Sequence, residues 1–247
     1  MRIIICCLFS IATLSATAQH KKESKKWDKE KMAEYMPSLS RTLGGSFQKF
    51  NGLNGRLTNL PQYKPLKNYT ATIGLGWFKE RNRIISDAGI TLGSSMSAKR
   101  NEKSSTIRYI GFNANMGYDV LKNEHITLFP LIGLGYQGYQ SVFYKNNSEV
   151  DFNDVLESPG VQQSITPVKF TNGFFVYRAG AGVLFKSSKH PASIGLQAGY
   201  TGSFQKHAWR TNDGQALANA PQDRISQLYF NIVLISNPWM RMSSHSN

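Results

Sequence analysis

Three kinds of residue grouping in this chain have the makings of chemistry: histidines near hydroxyls, a short acidic run, and repeated glycine pairs. A strand-borne hydrolytic pair needs a histidine and a serine on one face of a rigid element, held to a fraction of an ångström. His125, His190 and His207 fall at predicted turns or strand ends, and none is followed two residues later by a serine. The "SSHS" near the end brings hydroxyls to a histidine, but a tail cannot hold a reacting geometry. Asp151-Phe152-Asn153-Asp154 and Asp213 lack the regular ligand spacing of a calcium loop, so no metal site is expected. "IGLGY" and "AGAGVLF" superficially resemble phosphate-binding loops, yet no helix follows to supply a positive N-terminus. These glycines are read as strand glycines, and neither a cofactor nor catalysis is expected.

The elements around them are strands. In "GFNANMGYDV" the residues Phe112, Ala114, Met116, Tyr118 and Val120 alternate with Gly111, Asn113, Asn115, Gly117 and Asp119. Strict alternation over this length marks a strand with two unlike faces. The same two rows recur in "NYTATIGLGWF", where Tyr69, Ala71, Ile73, Leu75 and Trp77 face away from Thr70, Thr72, Gly74 and Gly76. Tyr177, Val183 and their row oppose Arg178, Gly180 and Gly182, and Ile194, Leu196 and Tyr200 oppose Gly195, Gln197 and Gly199. Two strands blur the pattern: "ITLFPLIGLGY" puts Phe129 and Leu131 in the polar row, and "LYFNIVLI" is apolar on both faces.

Eight strands are predicted, at about 39–50, 69–78, 85–96, 106–120, 126–144, 171–186, 192–208 and 225–236, with no convincing helix between them. The connections read alternately long (51–68, 97–105, 145–170, 209–224) and short (79–84, 121–125, 187–191). Long loops at one end and tight turns at the other are the layout of outer-membrane barrels. The fold class expected is all-β, an eight-stranded antiparallel up-and-down transmembrane β-barrel. In lipid every backbone polar group must be paired within the protein, so the strands must close into a ring. The apolar row then faces lipid: Ile73, Leu75, Trp77, Phe112, Met116, Tyr118, Tyr177, Val183, Ile194, Leu196 and Tyr200. The polar row fills the narrow lumen, where Asp87, Asn113, Asn115, Asp119, Arg178, Gln197 and Asn231 are expected to form one network, since charges survive there only if paired. Tyr69, Trp77, Tyr118, Tyr136, Phe185 and Phe204 fall near strand ends, where aromatic girdles sit.

The beginning of the chain carries Arg2, an apolar run from Ile3 to about Leu14, and Ala16-Thr17-Ala18, the pattern of a cleaved secretory signal. Residues 1–18 are read as that signal, 19–37 as a basic periplasmic segment, 38–239 as the barrel and 240–247 as a tail. Both cysteines, Cys6 and Cys7, lie in the leader, so the exported chain has no disulfides. The formal charge of +14 would point to nucleic acid in a cytoplasmic protein, a partner that export removes. Arg56, Lys64, Lys67, Lys99, Arg100, Lys103, Lys145, Lys169 and Arg210 instead make a basic rim on the long loops, which either meets lipopolysaccharide phosphates or is simply solvated.

On "GLGW", "NANMGYDV", "IGLGYQGY", "AGAGVLF", "GLQAGYTGSF" and the closing "LYFNIVLI", the sequence resembles the small outer-membrane β-barrels of Gram-negative bacteria, the class that includes the OmpA, OmpX and OmpW types. The resemblance covers nearly all of residues 38–236. It implies an outer-membrane location, outer-membrane lipid and lipopolysaccharide as surroundings, the barrel-assembly machinery as a partner, and a monomer. Such chains commonly end on an aromatic residue, whereas Trp239 here is followed by "MRMSSHSN". The expected role is non-catalytic: structural or surface-interacting through long extracellular loops, above all 145–170, with an unidentified extracellular partner. The alternatives are a narrow pore or small hydrophobic-ligand conduit, and a soluble barrel with its faces reversed around a ligand.

Overall fold

The alternating rows become strands because each side of the backbone is asked to meet a different medium, and a two-residue period is the one that separates them. A computed structural model of the chain describes residues 36–99, 102–186 and 192–236. The leader, the basic segment up to residue 35, residues 100 and 101, residues 187–191 with His190, and everything from residue 237 lie outside the described residues. The strands are β1 (Ser38–Gln48), β2 (Tyr69–Arg81), β3 (Ile84–Met96), β4 (Ser104–Tyr118), β5 (Ile126–Tyr144), β6 (Val168–Lys186) and β7 (Ala192–Ser203). Three two-residue strands follow, β8 (His207–Ala208), β9 (Arg210–Thr211) and β10 (Gln222–Asp223), before β11 (Ser226–Ser236).

Eight of these form a ring. Each of β1 to β7 pairs antiparallel with its neighbour in sequence, β7 pairs with β11, and β11 pairs with β1 to complete the circuit. Every long strand therefore has a partner on both sides, the condition under which a sheet leaves no row of unpaired N–H and C=O groups. The β2–β3 connection is a two-residue hairpin with Asn82 and Arg83 at φ 50° and 70°, the geometry that matches strand twist. Three strand ends lie three or more residues from where the sequence puts them: β7 stops at Ser203 short of 208, β2 runs on past 78 to Arg81, and β6 starts at Val168 ahead of 171. The connections 97–103 and 119–125 are equally long, so the contrast between the ends is carried by 49–68, 145–167 and 204–225 on one side and the 82–83 turn on the other.

Outward lie the apolar rows. Leu75, Trp77 and Phe112 are 62%, 61% and 48% exposed, and Ile73, Met116, Tyr118, Tyr177, Ile194 and Leu196 are likewise exposed, while Val183 and Tyr200 are half-buried. A barrel with reversed faces is excluded, because Phe112, Ile194 and Leu196 stand outside. Tyr69 opens β2 at the loop end, and Trp77, Tyr118 and Phe185 lie near the turn end. Among the described residues no helix is long and apolar enough to cross a membrane.

The interior differs from a uniformly polar plug. Near the turn end Phe78, Ile85, Phe129, Leu131, Leu184, Val233 and Ile235 form a buried apolar layer. The blurred strands of the sequence are its source: Phe129, Leu131, Val233 and Ile235 point inward by design. Gly182 makes the room, since a Cβ there would lie 2.4 Å from Phe129 Cζ. Polar side chains occupy the middle. At the loop end a second apolar cluster gathers Phe50, Leu53, Leu57, Leu66, Tyr109, Tyr139, Phe143, Phe174, Val176, Trp209 and Ile225.

Candidate interaction surface at the loop end

The middle layer holds most of the predicted polar set. Asn115 Nδ2 donates to Asp87 Oδ2 at 3.0 Å, and Gly133 opposite leaves space for the Asn115 amide, whose Oδ1 would be 2.2 Å from any Cβ. The Arg178 guanidinium stacks 4.3 Å over the Tyr229 ring. Asp87, Asn113, Arg178, Gln197 and Asn231 share the lining of a small void of about 30 Å³, roomy enough to hold water. Above them the Tyr139 hydroxyl lies within hydrogen-bond distance of Gln137 Oε1 (2.9 Å) and Gln227 Oε1 (3.2 Å). Asp119 stands apart. It is buried at the turn end, where its carboxylate accepts from the Leu121 N–H and Arg83 Nε donates to its carbonyl.

Over this layer the first long loop folds a lid. Helix α1 (Asn51–Leu57) follows β1 after Lys49 and Phe50, and it buries Leu53 and Leu57. Its sequence, "NGLNGRL", has poor helix propensity, so the helix owes its existence to what it packs on. Phe50 sits edge-on to Tyr139 at 5.4 Å and to Trp209 at 5.9 Å, and Tyr139 in turn meets Phe174 at 5.9 Å. Edge-to-face rings at such spacings add to the gain from burial.

Polar groups fasten the lid. The buried Asp223 carboxylate accepts from the Gly52 N–H (2.7 Å), the Leu53 N–H (3.0 Å) and Trp209 Nε1 (2.8 Å). Two of these are helix N–H groups that lack an intrahelical partner. Gly52 permits the approach, because a Cβ there would lie 2.2 Å from the Gln222 carbonyl oxygen. The Asn54 side chain closes the loop by exchanging hydrogen bonds with both backbone groups of Leu66. Sequence reasoning missed this assembly, for nothing in the spacing of Asp223 points to a helix so far upstream.

The third long loop is built differently. Helices α2 (Phe152–Glu157) and α3 (Pro159–Ile165) contain no buried residue. The Asp151 carboxylate caps α2 by accepting from the Asn153 N–H, and Gln162 Nε2 donates to the Val155 carbonyl to hold the two helices together. Phe152 and Leu156 are 74% and 64% exposed. The hairpin beneath is tall: β5 and β6 run 19 residues each, against 11 for β1 and β11.

Three of the rim cations donate to backbone carbonyl oxygens. Arg56 Nη2 donates to Asn219 O, Lys145 Nζ to Ser164 O and Lys103 Nζ to Pro61 O, while Lys67 lies over the Tyr69 ring. His125 belongs to a turn whose backbone N–H bonds Asn123, and the His207 ring packs edge-on to Phe174 at 5.6 Å. Among the described residues no three His, Cys, Asp or Glu side chains come together as a metal site.

No protein-family model matches the chain, and no curated protein matches it. Solved structures do. The attachment invasion locus protein Ail of Yersinia pestis, crystallised with the heparin analogue sucrose octasulfate, aligns over 81% of this chain and 95% of its own at 14% identity and a TM-score of 0.45. Neisserial surface protein A aligns over 81% and 96% at 7% identity and a TM-score of 0.46. A second Ail structure aligns over 81% and 98% at 17% identity and a TM-score of 0.36. By its closed ladder and its inside-out polarity, the chain has the fold of a small outer-membrane-type β-barrel.

Proposed function

We propose that the chain resides in the outer membrane as a closed, non-conducting monomeric barrel and acts without catalysis or cofactor, through contacts made by its extracellular loops. The carrying observation is the third loop: two helices that bury none of their side chains, with Phe152 and Leu156 exposed, raised on the tallest hairpin of the ring. Exposed apolar side chains on a loop held by its own hydrogen bonds serve recognition better than stability. The exposed belt on the barrel wall supports insertion in lipid, where the outward row replaces lipid–lipid contact at little cost. The surroundings are then outer-membrane lipid and lipopolysaccharide, the route of insertion is the barrel-assembly machinery, and the loop's partner is extracellular. Nucleic acid is no partner of an exported chain.

Two apolar layers enclosing a polar waist support a closed lumen over a pore. Three measurements test the proposal together. The protein should leave membranes only with detergent and migrate in a heat-modifiable way in gels. In planar bilayers it should give no conductance steps. Cells displaying it should lose adhesion to ligand-coated surfaces when residues 145–167 are replaced by a short Gly-Ser turn. Discrete conductance, or adhesion indifferent to that replacement, would overturn the respective part.

A further inference from the structure

One wall of the barrel carries a feature that a lipid-facing surface does not require. On the outer face of β4, β5, β6 and β9, Arg108, Gln140, Thr171 and Arg210 are register partners and form one rung. The next rung toward the turn end is Ile110, Gly138 and Gly173, with the two glycines directly paired. Below it come Phe112, Tyr136 and Phe175, with Tyr136 and Phe175 edge-on at 5.3 Å. The paired glycines leave a notch of about 800 Å³, lined by Arg108, Arg210, Tyr136, Asn172 and His207 among others. Gly173 lets the Tyr136 hydroxyl turn up into it, for a Cβ there would lie 2.1 Å from that oxygen. Neither Arg108 nor Arg210 has a carboxylate partner among the described residues.

The notch does not end at the aromatic rung. A second, apolar groove of about 620 Å³ runs on down the wall, lined by Trp77, Ile90, Phe112, Ala114, Leu134 and again Tyr136 and Phe175. Trp77, Ala88, Ala114 and Leu134 are partners on one rung, and of its two alanines Ala114 lines the groove between the larger Trp77 and Leu134. Thus a doubly cationic notch at the loop-end rim opens into a greasy channel along the membrane wall. Ala114 lies three rungs below Arg108, about 20 Å at the rise of a strand, a span that a headgroup phosphate and an extended acyl chain cover together. A comparable notch on the opposite wall, lined by Lys49, Lys206 and Arg224, shares no residue with the groove.

We propose that the β4–β5–β6 wall is a binding site for one phosphorylated lipid of the outer leaflet, its phosphate held by Arg108 and Arg210 with the Tyr136 hydroxyl, and an acyl chain laid over Ala114. The proposal rests on the membrane reading above. Guanidinium–phosphate contacts are charge-assisted and directional, which selects a phosphate over a neutral headgroup. The groove selects a lipid over a free anion.

The test is native mass spectrometry of the full barrel in mild detergent. Diphosphorylated lipid A, its dephosphorylated form and inorganic phosphate serve as probes. The wild type should retain one lipid A and not the dephosphorylated lipid, and millimolar phosphate should not displace it. Arg108→Ala with Arg210→Ala should lower retention by about tenfold or more, and Ala114→Phe should do so with both charges intact. Arg108→Lys with Arg210→Lys should restore retention in part. A triple Lys49→Ala, Lys206→Ala, Arg224→Ala variant should retain lipid as the wild type does. Heat-modifiable migration of each variant verifies that it has folded. Equal retention in the double alanine variant, equal retention of dephosphorylated lipid, or displacement by phosphate alone would overturn the site while leaving the membrane reading intact. A protein that stays dispersed without detergent would remove both.

Discussion

Two sets of short helices leave the same end of the barrel and meet opposite fates. Helix α1 buries Leu53 and Leu57 and is fastened to the fourth loop by a carboxylate 171 residues away in sequence. Helices α2 and α3 bury nothing, and the cap and side-chain bonds that hold them come from residues close by in the chain. The intrinsic propensities run the other way, since α1 contains two glycines and two asparagines. What decides is position over the ring. The first and fourth loops seal the mouth, and the third, raised on the long β5–β6 hairpin, is thereby free of any structural duty.

Substitutions sharpen that contrast. Phe50→Ala removes a ring 1% exposed at the centre of the lid, and should lower unfolding stability in detergent or bilayer by about 3–5 kcal/mol. A loss below about 1 kcal/mol, the range of ordinary surface changes, would mean the lid is not packed as described. Asp223→Ala orphans three N–H donors and should cost about 3 kcal/mol, read most directly as faster hydrogen exchange at Gly52 and Leu53. Gly52→Ala forces a methyl group against the Gln222 carbonyl and should cost about 1–3 kcal/mol. At the other end of the scale, Phe152→Ser with Leu156→Ser should change stability by no more than about 0.5 kcal/mol while weakening the extracellular contacts proposed for that loop. If that pair destabilises as Phe50→Ala does, the third loop is part of the seal and the contrast disappears.

The ring itself was legible because a two-residue period writes one face per row, and lipid outside makes the rows unlike. Ile73, Leu75 and Trp77 stand on one side of β2 and Thr72, Gly74 and Gly76 on the other, as the alternation reads. The same logic made Phe129, Leu131, Val233 and Ile235 look like lapses, whereas they are the inner stopper near the turns. An apolar residue in the inward row is indistinguishable from noise until its neighbours on other strands are known. The lid was hidden for a related reason, since a helix of poor propensity exists only through packing against residues from the opposite half of the chain. Helices α2 and α3 did leave local marks, Asp151 as cap and Pro159 in the first turn. Segments of six and seven residues carry too little periodicity for these marks to stand out from a loop.

The tie between Gly52 and Asp223 bears on the closing of the ring. Asp223 lies just ahead of β11, and it reaches α1 because the seam pairing of β1 with β11 sets Gln48 against Gln227. The latch and the seam between the first and last staves thus depend on the same juxtaposition, so opening of the seam should expose the Gly52 amide to exchange, and its protection reports that the cylinder is shut.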